Sequence, residues 1–312
     1  MKTAVITGAT GAIGRALITV CIKAGYAVLT VVHRDSPRAF GLNKIEHCQV
    51  LRLDFSEYDN ATEEMKKQNI TAKGCELFFH LAWVAPFGKD RENLPLQLDN
   101  VKASLAAVRF AKELGCTTFV GAGSQAEYGR VGGKLSPDTP AFPETGYGIA
   151  KLCAGQMTKL ACEQTGLKHI WTRILSVYGP HDGKRSLISV AINDMMKNKD
   201  TSFSPCDQMW DYIYSVDAAR ALLLVAQKGE HGCVYVIGSG EAYPLKEYIQ
   251  KIAAVTGYKK EIGFGKRPYN DKQVMYLQAD ITKLQELGFK PHVSFEEGIR
   301  SIIETEHGTN RD

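Results

Sequence analysis

Short apolar runs alternate with helix-patterned stretches along more than half of the chain. Lys2 to Thr7 reads as a buried strand, and further apolar runs occupy Ala27 to Val32, Gln49 to Leu53, Leu77 to Ala82, Thr118 to Ala122 and His169 to Ile174. Between them, helical periodicity predicts helices from Ala12 to Ala24, Leu98 to Glu113 and Tyr147 to Thr165. Strands of this kind, separated by helices, imply an α/β fold with a doubly wound parallel sheet covered on both faces. After about residue 177 the strands shorten and helices dominate, with helices predicted at Ser215 to Lys228, Pro244 to Thr256 and Phe295 to Glu304. Residues 1–176 therefore read as the main domain. Residues 177–312 read as a smaller α/β substrate lobe, part of which returns to the main sheet, set over the strands' carboxyl ends where such folds bind ligands.

Composition narrows the function classes. With 312 residues and 44% hydrophobic content, the chain buries a sizeable core. Its net charge of +4 is scattered, and no basic run is interleaved with aromatics, so nucleic acid is not an expected partner. The pair Lys66-Lys67 reads as a polar helix face. Eight cysteines occur singly, several inside apolar segments (Cys21, Cys116, Cys153, Cys162). That usage implies reduced, packed thiols in a cytoplasmic protein, with neither a disulfide frame nor a metal site. No apolar stretch approaches the length of a membrane span, and the chain enters its first strand at once, so neither a membrane segment nor a signal peptide is expected.

Two constellations carry chemistry. Directly after the first strand, Gly8, Gly11 and Gly14 recur at three-residue intervals before a helix. Strand, glycine turn and helix form the Rossmann arrangement in which backbone N–H groups and a helix N-terminus hold a pyrophosphate. Farther on, Tyr147 precedes Lys151 by one helical turn, with Ser124 at the end of an earlier strand. An ammonium group one turn from a phenol favours phenolate, provided that the site is partly dry. Such a phenol exchanges a proton with a carbinol or ketone oxygen while Ser124 steadies the developing charge.

The chain resembles the extended short-chain dehydrogenase/reductases of the nucleotide-sugar epimerase, dehydratase and reductase group over nearly its whole length. The stretches that carry the resemblance are Thr7 to Gly14, Phe79 to Ala82, Gly123 to Gly129, Tyr147 to Lys151, and Arg173 through Val177 to Pro180. Further matches are Trp210 to Ala219, Val236 to Gly240, Arg267-Pro268, Ala279-Asp280 and Leu287 to Pro291. The resemblance implies that Tyr147 is the general acid/base, that Lys151 tunes it and bonds the nicotinamide ribose, and that Ser124 positions the sugar oxygen. It implies cofactor contacts at Gly8, Thr10, Gly11, Ala12, Ile13, Gly14, His33, Arg34, Asp54, Phe55, Leu81 and Ala82, besides Tyr147 and Lys151. Substrate contacts are implied at Trp83, Ser124, Gln125, Ser176, Trp210 and Arg267, with Lys184 and Arg185 as further helpers. His80 reads as a core residue at a strand end, and helix capping is the bland role of Asp54.

Departures from the family pattern sharpen the expectation. Dehydratases of the group carry an Asp-Glu pair after the hydroxyl residue, whereas this chain has Gln125-Ala126, which disfavours 4,6-dehydration. Glu127, on the alternate face of an extended segment, does not replace that pair. Where relatives that use NAD place a carboxylate after the second strand, this chain reads His33-Arg34-Asp35-Ser36-Pro37-Arg38. Arg34, helped by Ser36 or Arg38, is expected to hold a 2′-phosphate and so to favour NADP over NAD, whereas a register shift of one residue would put the Asp35 carboxylate on the ribose instead. Many relatives also have Arg at the position of Trp210, leaving Arg267 as the candidate diphosphate clamp. The expected activity is NADPH-dependent reduction of a nucleotide-linked 4-keto-6-deoxyhexose, with an NAD-dependent 4-epimerase of the UDP-glucose or UDP-GlcNAc type as the alternative. A non-catalytic NADP redox sensor is the alternative of another class. The resemblance also implies a homodimer paired through the helices around Leu98 to Glu113 and Tyr147 to Thr165.

Overall fold

The structure, a computed structural model, describes residues 1–308. Strands β1 (Thr3–Thr7), β2 (Ala27–Val32), β3 (Cys48–Arg52), β4 (Cys75–His80), β5 (Thr118–Ser124) and β6 (Lys168–Ile174) lie side by side. Three short strands, β7 (Ser176–Tyr178), β8 (Met209–Trp210) and β9 (Tyr212–Tyr214), stand outside the main sheet, and β10 (Cys233–Ile237) returns to it. The resulting seven-stranded sheet has the order β3-β2-β1-β4-β5-β6-β10 with every pair parallel. The expected doubly wound class is thus borne out, and the order reverses between β1 and β4, the point where such sheets open a crevice for ligands.

Helices α1 (Ala12–Lys23), α2 (Ala61–Lys67), α3 (Leu94–Glu113) and α4 (Gly146–Thr165) alternate with the first six strands. α3 begins four residues before its predicted start. Pro95 sits in its first turn, where a missing N–H costs nothing, and the Asn93 side chain accepts from the Leu96 N–H at 3.3 Å. β4 ends at His80 rather than at Ala82, because Leu81 and Ala82 leave the strand to line the glycine turn. α4 starts where Thr145 Oγ1 accepts from the Gly148 N–H at 3.0 Å and stops at Gly166, whose φ is +72°.

Helix α5 (Leu187–Met196) precedes α6 (Ser215–Lys228), which packs on α1 and leads into β10. The remaining chain adds β11 (Tyr243–Pro244), α7 (Leu245–Thr256), α8 (Thr282–Glu286) and α9 (Phe295–His307). α5, α7 and α9 close over a separate core of Tyr178, Ile188, Ile192, Phe203, Tyr248, Ile249, Phe295 and Ile299. On one face of the main sheet, α3 and α4 cover Phe78, Phe119 and Trp171. The Trp171 indole lies across Gly121, Gly123 and Gly155, where any Cβ would come within 2.3–2.7 Å of its ring atoms. Burying such a ring contributes about 1.5–3 kcal/mol and locks α4, with Tyr147 and Lys151, against β5 and β6.

Candidate active site

The glycine turn has the shape a dinucleotide needs. Gly8 has φ +70°, and a Cβ on it would lie 2.7 Å from the Ala82 nitrogen. A Cβ on Gly14 would lie 2.5 Å from the Gly8 carbonyl oxygen, whereas at Gly11 the nearest atom is 3.8 Å away. Gly8 and Gly14 thus bring helix, turn and Leu81-Ala82 into contact, while Gly11, Ala12 and Ile13 leave the α1 N-terminus open, with no acidic residue in its first turn. Thr10, half-buried, completes the turn. These residues fit a dinucleotide pyrophosphate.

Beneath the turn, a hydrogen-bond chain sets the position of Ala82. Its N–H donates to Thr7 Oγ1 at 3.2 Å, and that hydroxyl lies 3.0 Å from His80 Nδ1. His80 Nε2 is 3.1 Å from Ser104 Oγ, which donates to the Asn100 carbonyl at 2.8 Å. With the Ser104 proton given to Asn100, His80 Nε2 must carry a proton toward Ser104, and burial, which lowers the His80 pKa to about 3, keeps the imidazole neutral. His80 is therefore a core residue, as its strand-end position suggested.

Tyr147, Ser124 and Lys151 come together beside this crevice. Ser124 ends β5, and its hydroxyl accepts from the Ala126 N–H at 3.2 Å. Half-buried Tyr147 faces the Ser124 hydroxyl. Burial raises its phenol above the ordinary range, opposed by that hydroxyl and by the charge of Arg91. Lys151 is 4% exposed, and burial lowers its amine to about 7. Its Nζ donates to the Ala122 carbonyl at 2.6 Å and lies 3.8 Å from the centroid of the Trp83 ring, against 5.8 Å for Tyr147. The helix spacing led us to expect the lysine as the cation beside the phenol. The ammonium does face the Tyr147 ring, but a carbonyl and an indole face share it, and the guanidinium of Arg91 covers the same ring at 4.6 Å. No periodicity marks Arg91 in the sequence, because it lies in a single turn between β4 and α3.

Glu127 corrects a second expectation. Residues Gln125–Glu127 form a 3-10 turn, not an extended segment, and the Glu127 side chain is fully buried. It accepts from the Ser124 N–H at 2.8 Å, from Trp171 Nε1 at 3.1 Å and from Arg173 Nε at 2.9 Å. Held there, it carries no proton to the crevice, while Gln125 stands half-buried beside Ser124.

The loop after β2 gives a third correction. The Arg34 guanidinium bonds Glu57 through Nε at 2.9 Å and Glu64 through Nη2 at 2.5 Å. Those hydrogen bonds, that to Glu57 foremost, raise its pKa further. Two carboxylates thus neutralise the side chain assigned to a 2′-phosphate, and Lys67 joins them at 2.6 Å from Glu64. Asp54 accepts from the Arg34 N–H at 3.2 Å and faces exposed His33 Nε2 at 3.2 Å, so its carboxylate ties the ends of β2 and β3 together. Phe55 packs edge-on against Tyr58.

On the substrate side, Trp210 Nε1 donates to Ser176 Oγ at 2.8 Å. Ser176 lies two residues beyond Ile174, the partner of Ser124 across β5 and β6. Trp83 meets Tyr147 edge-on at 6.0 Å and donates to Gln97 at 2.9 Å. The structure thus groups Trp83, Ser124 and Tyr147, and it pairs Ser176 with Trp210. Arg267 stands apart: exposed, it donates from Nε to Ser202 Oγ at 3.2 Å, with no hydrogen bond to the other substrate candidates among the described residues. Lys184 and Arg185 are also exposed. Two groups escaped the sequence reading besides Arg91: the buried Glu127–Arg173 pair and Arg15. Among the described residues, no cluster of three or more His, Cys, Asp or Glu side chains forms a metal site.

Comparison with known proteins agrees with this architecture. The model of the NAD dependent epimerase/dehydratase family matches residues 4–238. The dTDP-4-dehydro-6-deoxyglucose reductase of Escherichia coli is 26% identical over 307 residues, covering 96% of each chain. The uncharacterized UDP-glucose epimerase YtcB of Bacillus subtilis is 24% identical, again over 96% of each. Among solved structures, the UDP-glucose 4-epimerase of Thermotoga maritima with UDP-glucose has TM-score 0.83 at 24% identity, covering 98% of this chain and 99% of that one. The dTDP-glucose 4,6-dehydratase of Bacillus anthracis in complex with NAD has TM-score 0.82 at 17% identity, covering 99% and 98%. With its glycine cradle, its Ser-Tyr-Lys group and a family match over three quarters of its length, the chain belongs to the NAD dependent epimerase/dehydratase family, the extended short-chain dehydrogenase/reductases that act on nucleotide sugars.

Proposed function

We propose that the protein reduces the 4-keto group of a nucleotide-linked 4-keto-6-deoxyhexose with NADPH. The observation that carries this reading is the burial of Glu127 against Trp171 and Arg173. With Gln125 and Ala126 beside Ser124, no acid–base pair remains for eliminating water, and the chemistry left is transfer of hydride and proton. The glycine turn would hold the pyrophosphate of NADPH, which when bound would supply the hydride. Tyr147 gives its proton to the sugar's 4-oxygen, and the Ser124 hydroxyl donates to that same oxygen as charge develops. Lys151, whose amine burial lowers to about 7, would hydrogen-bond the ribose hydroxyls. Support for reduction over epimerisation comes from the full-length likeness to a protein named for 4-keto reduction.

The choice of NADPH no longer leans on Arg34. Arg15, in the second turn of α1, donates through Nη2 to the carbonyls of Arg38 at 2.5 Å and Phe40 at 3.1 Å, and its buried Nε has no partner. Arg38 reaches the His181 carbonyl. Neither arginine has a carboxylate within 4.0 Å among the described residues; the nearby acids are bonded elsewhere, Asp182 to the Gly183 N–H and Glu306 to the His181 N–H. Two cations that lack a carboxylate partner, Arg15 just after the glycine turn and Arg38 whose carbonyl it bonds, suit the additional phosphate of NADPH.

The test supplies dTDP-4-keto-6-deoxyglucose and NADPH and follows loss of reduced-nicotinamide absorbance together with the sugar product. Stoichiometric oxidation of NADPH is expected. Interconversion of UDP-glucose and UDP-galactose on retained NAD, without net consumption, would establish the 4-epimerase instead, and dinucleotide binding without turnover of either sugar would leave the redox sensor. Arg38→Ala should weaken NADPH about tenfold more than NADH, whereas Arg34→Ala should weaken both alike.

We further propose a homodimer. Ile149, Cys153, Met157 and Leu160 form one stripe on α4, and Ile149, Met157 and Leu160 are 42–58% exposed. Leu94 and Leu98 on neighbouring α3 are equally uncovered. An apolar stripe across two packed helices is what a second copy would cover.

A further inference from the structure

A nearby cation makes Tyr147 a better proton donor, and the ammonium of Lys151, 5.8 Å from the ring centroid, is shared with other partners. Its Nζ donates to the Ala122 carbonyl at 2.6 Å and lies over the face of Trp83. We propose that Arg91 is a second electrostatic partner of Tyr147 beside Lys151, a positioning residue that acts on the reaction through the phenol.

Several observations carry this. The Arg91 guanidinium carbon lies 4.6 Å from the centroid of the Tyr147 ring. The residue is half-buried, and its Nε is buried without a hydrogen-bond partner among the described residues. The turn that carries it is fixed at both ends. Glu92 accepts from the Gly146 N–H at 3.0 Å, directly before Tyr147, and Gln97 donates to the Asp90 carbonyl at 3.0 Å. The Arg91 carbonyl itself packs against Gly146, where a Cβ would lie 3.0 Å from it. Among the described residues, four charged groups lie around Tyr147. Arg91 comes from the turn before α3 and Lys151 from the next turn of α4. Glu127, from the turn after β5, is engaged by Arg173, and Glu92 is bonded to the helix N-terminus. Of the two cations, Arg91 lies nearer the ring, at 4.6 Å against 5.8 Å.

The sign of the effect follows. A neighbouring cation stabilises phenolate and so lowers the Tyr147 pKa, easing release of the proton to the sugar oxygen. Removing the cation moves the phenol titration upward. In reduction the phenol must be protonated, so kcat/KM falls as pH rises through its pKa, and the alkaline limb of the profile moves up with it.

The proposal rests on Tyr147 as the proton donor, and the test is chosen so that the two readings fail separately. Tyrosinate absorbance is titrated in the intact protein and in Arg91→Gln and Arg91→Lys, each corrected by the same protein carrying Tyr147→Phe. No substrate is required. The Tyr147 titration should rise by about one pH unit in Arg91→Gln and return most of the way in Arg91→Lys. Should Arg91→Gln not fold, Arg91→Met keeps the aliphatic stem over the ring and serves in its place. An unmoved titration, or equal shifts in the Lys and Gln variants, overturns the proposal even if activity falls, since loop packing then accounts for the loss. A charge-dependent titration in a protein that turns over no keto sugar upholds it while refuting the reductase reading.

Discussion

Tyr147 concentrates the chemistry in one hydroxyl. Replacing it with Phe deletes the proton donor and little else, because the ring keeps its contacts with Trp83 and Arg91. Turnover should fall by about 10²–10⁴-fold while dinucleotide affinity, read by fluorescence titration, changes little. Turnover within a few-fold of the parent's would remove Tyr147 from the mechanism. Glu127 and Arg173 make a different kind of pair. Their carboxylate and guanidinium are 0% and 9% exposed, and burial raises the Glu127 pKa even against the Arg173 charge. Arg173→Met leaves that carboxylate buried without its ion-pair partner, so stability in urea should drop by about 3–5 kcal/mol. A loss below about 1 kcal/mol would mean that Trp171 and the Ser124 N–H satisfy Glu127 unaided.

Among the elements, the α1 N-terminus and its glycine turn act as one rigid part. Gly14→Ala would push a methyl group to 2.5 Å from the Gly8 carbonyl, so α1 must back away from β1. The variant should lose dinucleotide affinity by at least about tenfold, measured by calorimetry, and melt at lower temperature. Unchanged affinity would show that the turn does not bear on the pyrophosphate. Much at this scale was legible in residue order. Periodicity and glycine spacing located β1, the turn and α1, because those features are local and leave few alternatives. Arg34 shows where locality ends. Its partners Glu57 and Glu64 lie more than twenty positions away, and only the parallel pairing of β2 with β3 brings them to it. Arg91 likewise lies far along the chain from Tyr147, and its importance depends on how the loop before α3 folds over α4.

For the whole molecule, buried histidines tie stability to pH. His80 and His169 are 3% and 1% exposed, and burial lowers each from 6.5 to about 3. The unfolded chain therefore binds more protons than the folded one between those values. Stability should fall as pH drops from about 6.5 toward 3, with a slope of up to about 1.4 kcal/mol per pH unit from each histidine. Urea midpoints across that range check this, and His80→Asn should flatten the slope. A parent slope equal to that of the variant would refute the contribution of His80. The exposed stripe on α3 and α4 bears on assembly: Ile149→Glu with Leu160→Glu should yield a monomer by analytical ultracentrifugation, and an unaltered dimer would place the interface elsewhere.

Strand and helix alternation, the glycine spacing and the Ser-Tyr-Lys pattern were determined by the sequence by itself, because each depends on neighbours a few residues apart and on the periodicities of strand and helix. Only the tertiary structure decided which second cation faces the phenol, which carboxylates silence Arg34 and why Glu127 is withdrawn from the crevice. Charge acts through space and burial strengthens it, so the role of an ionised side chain is set by whatever the fold packs against it.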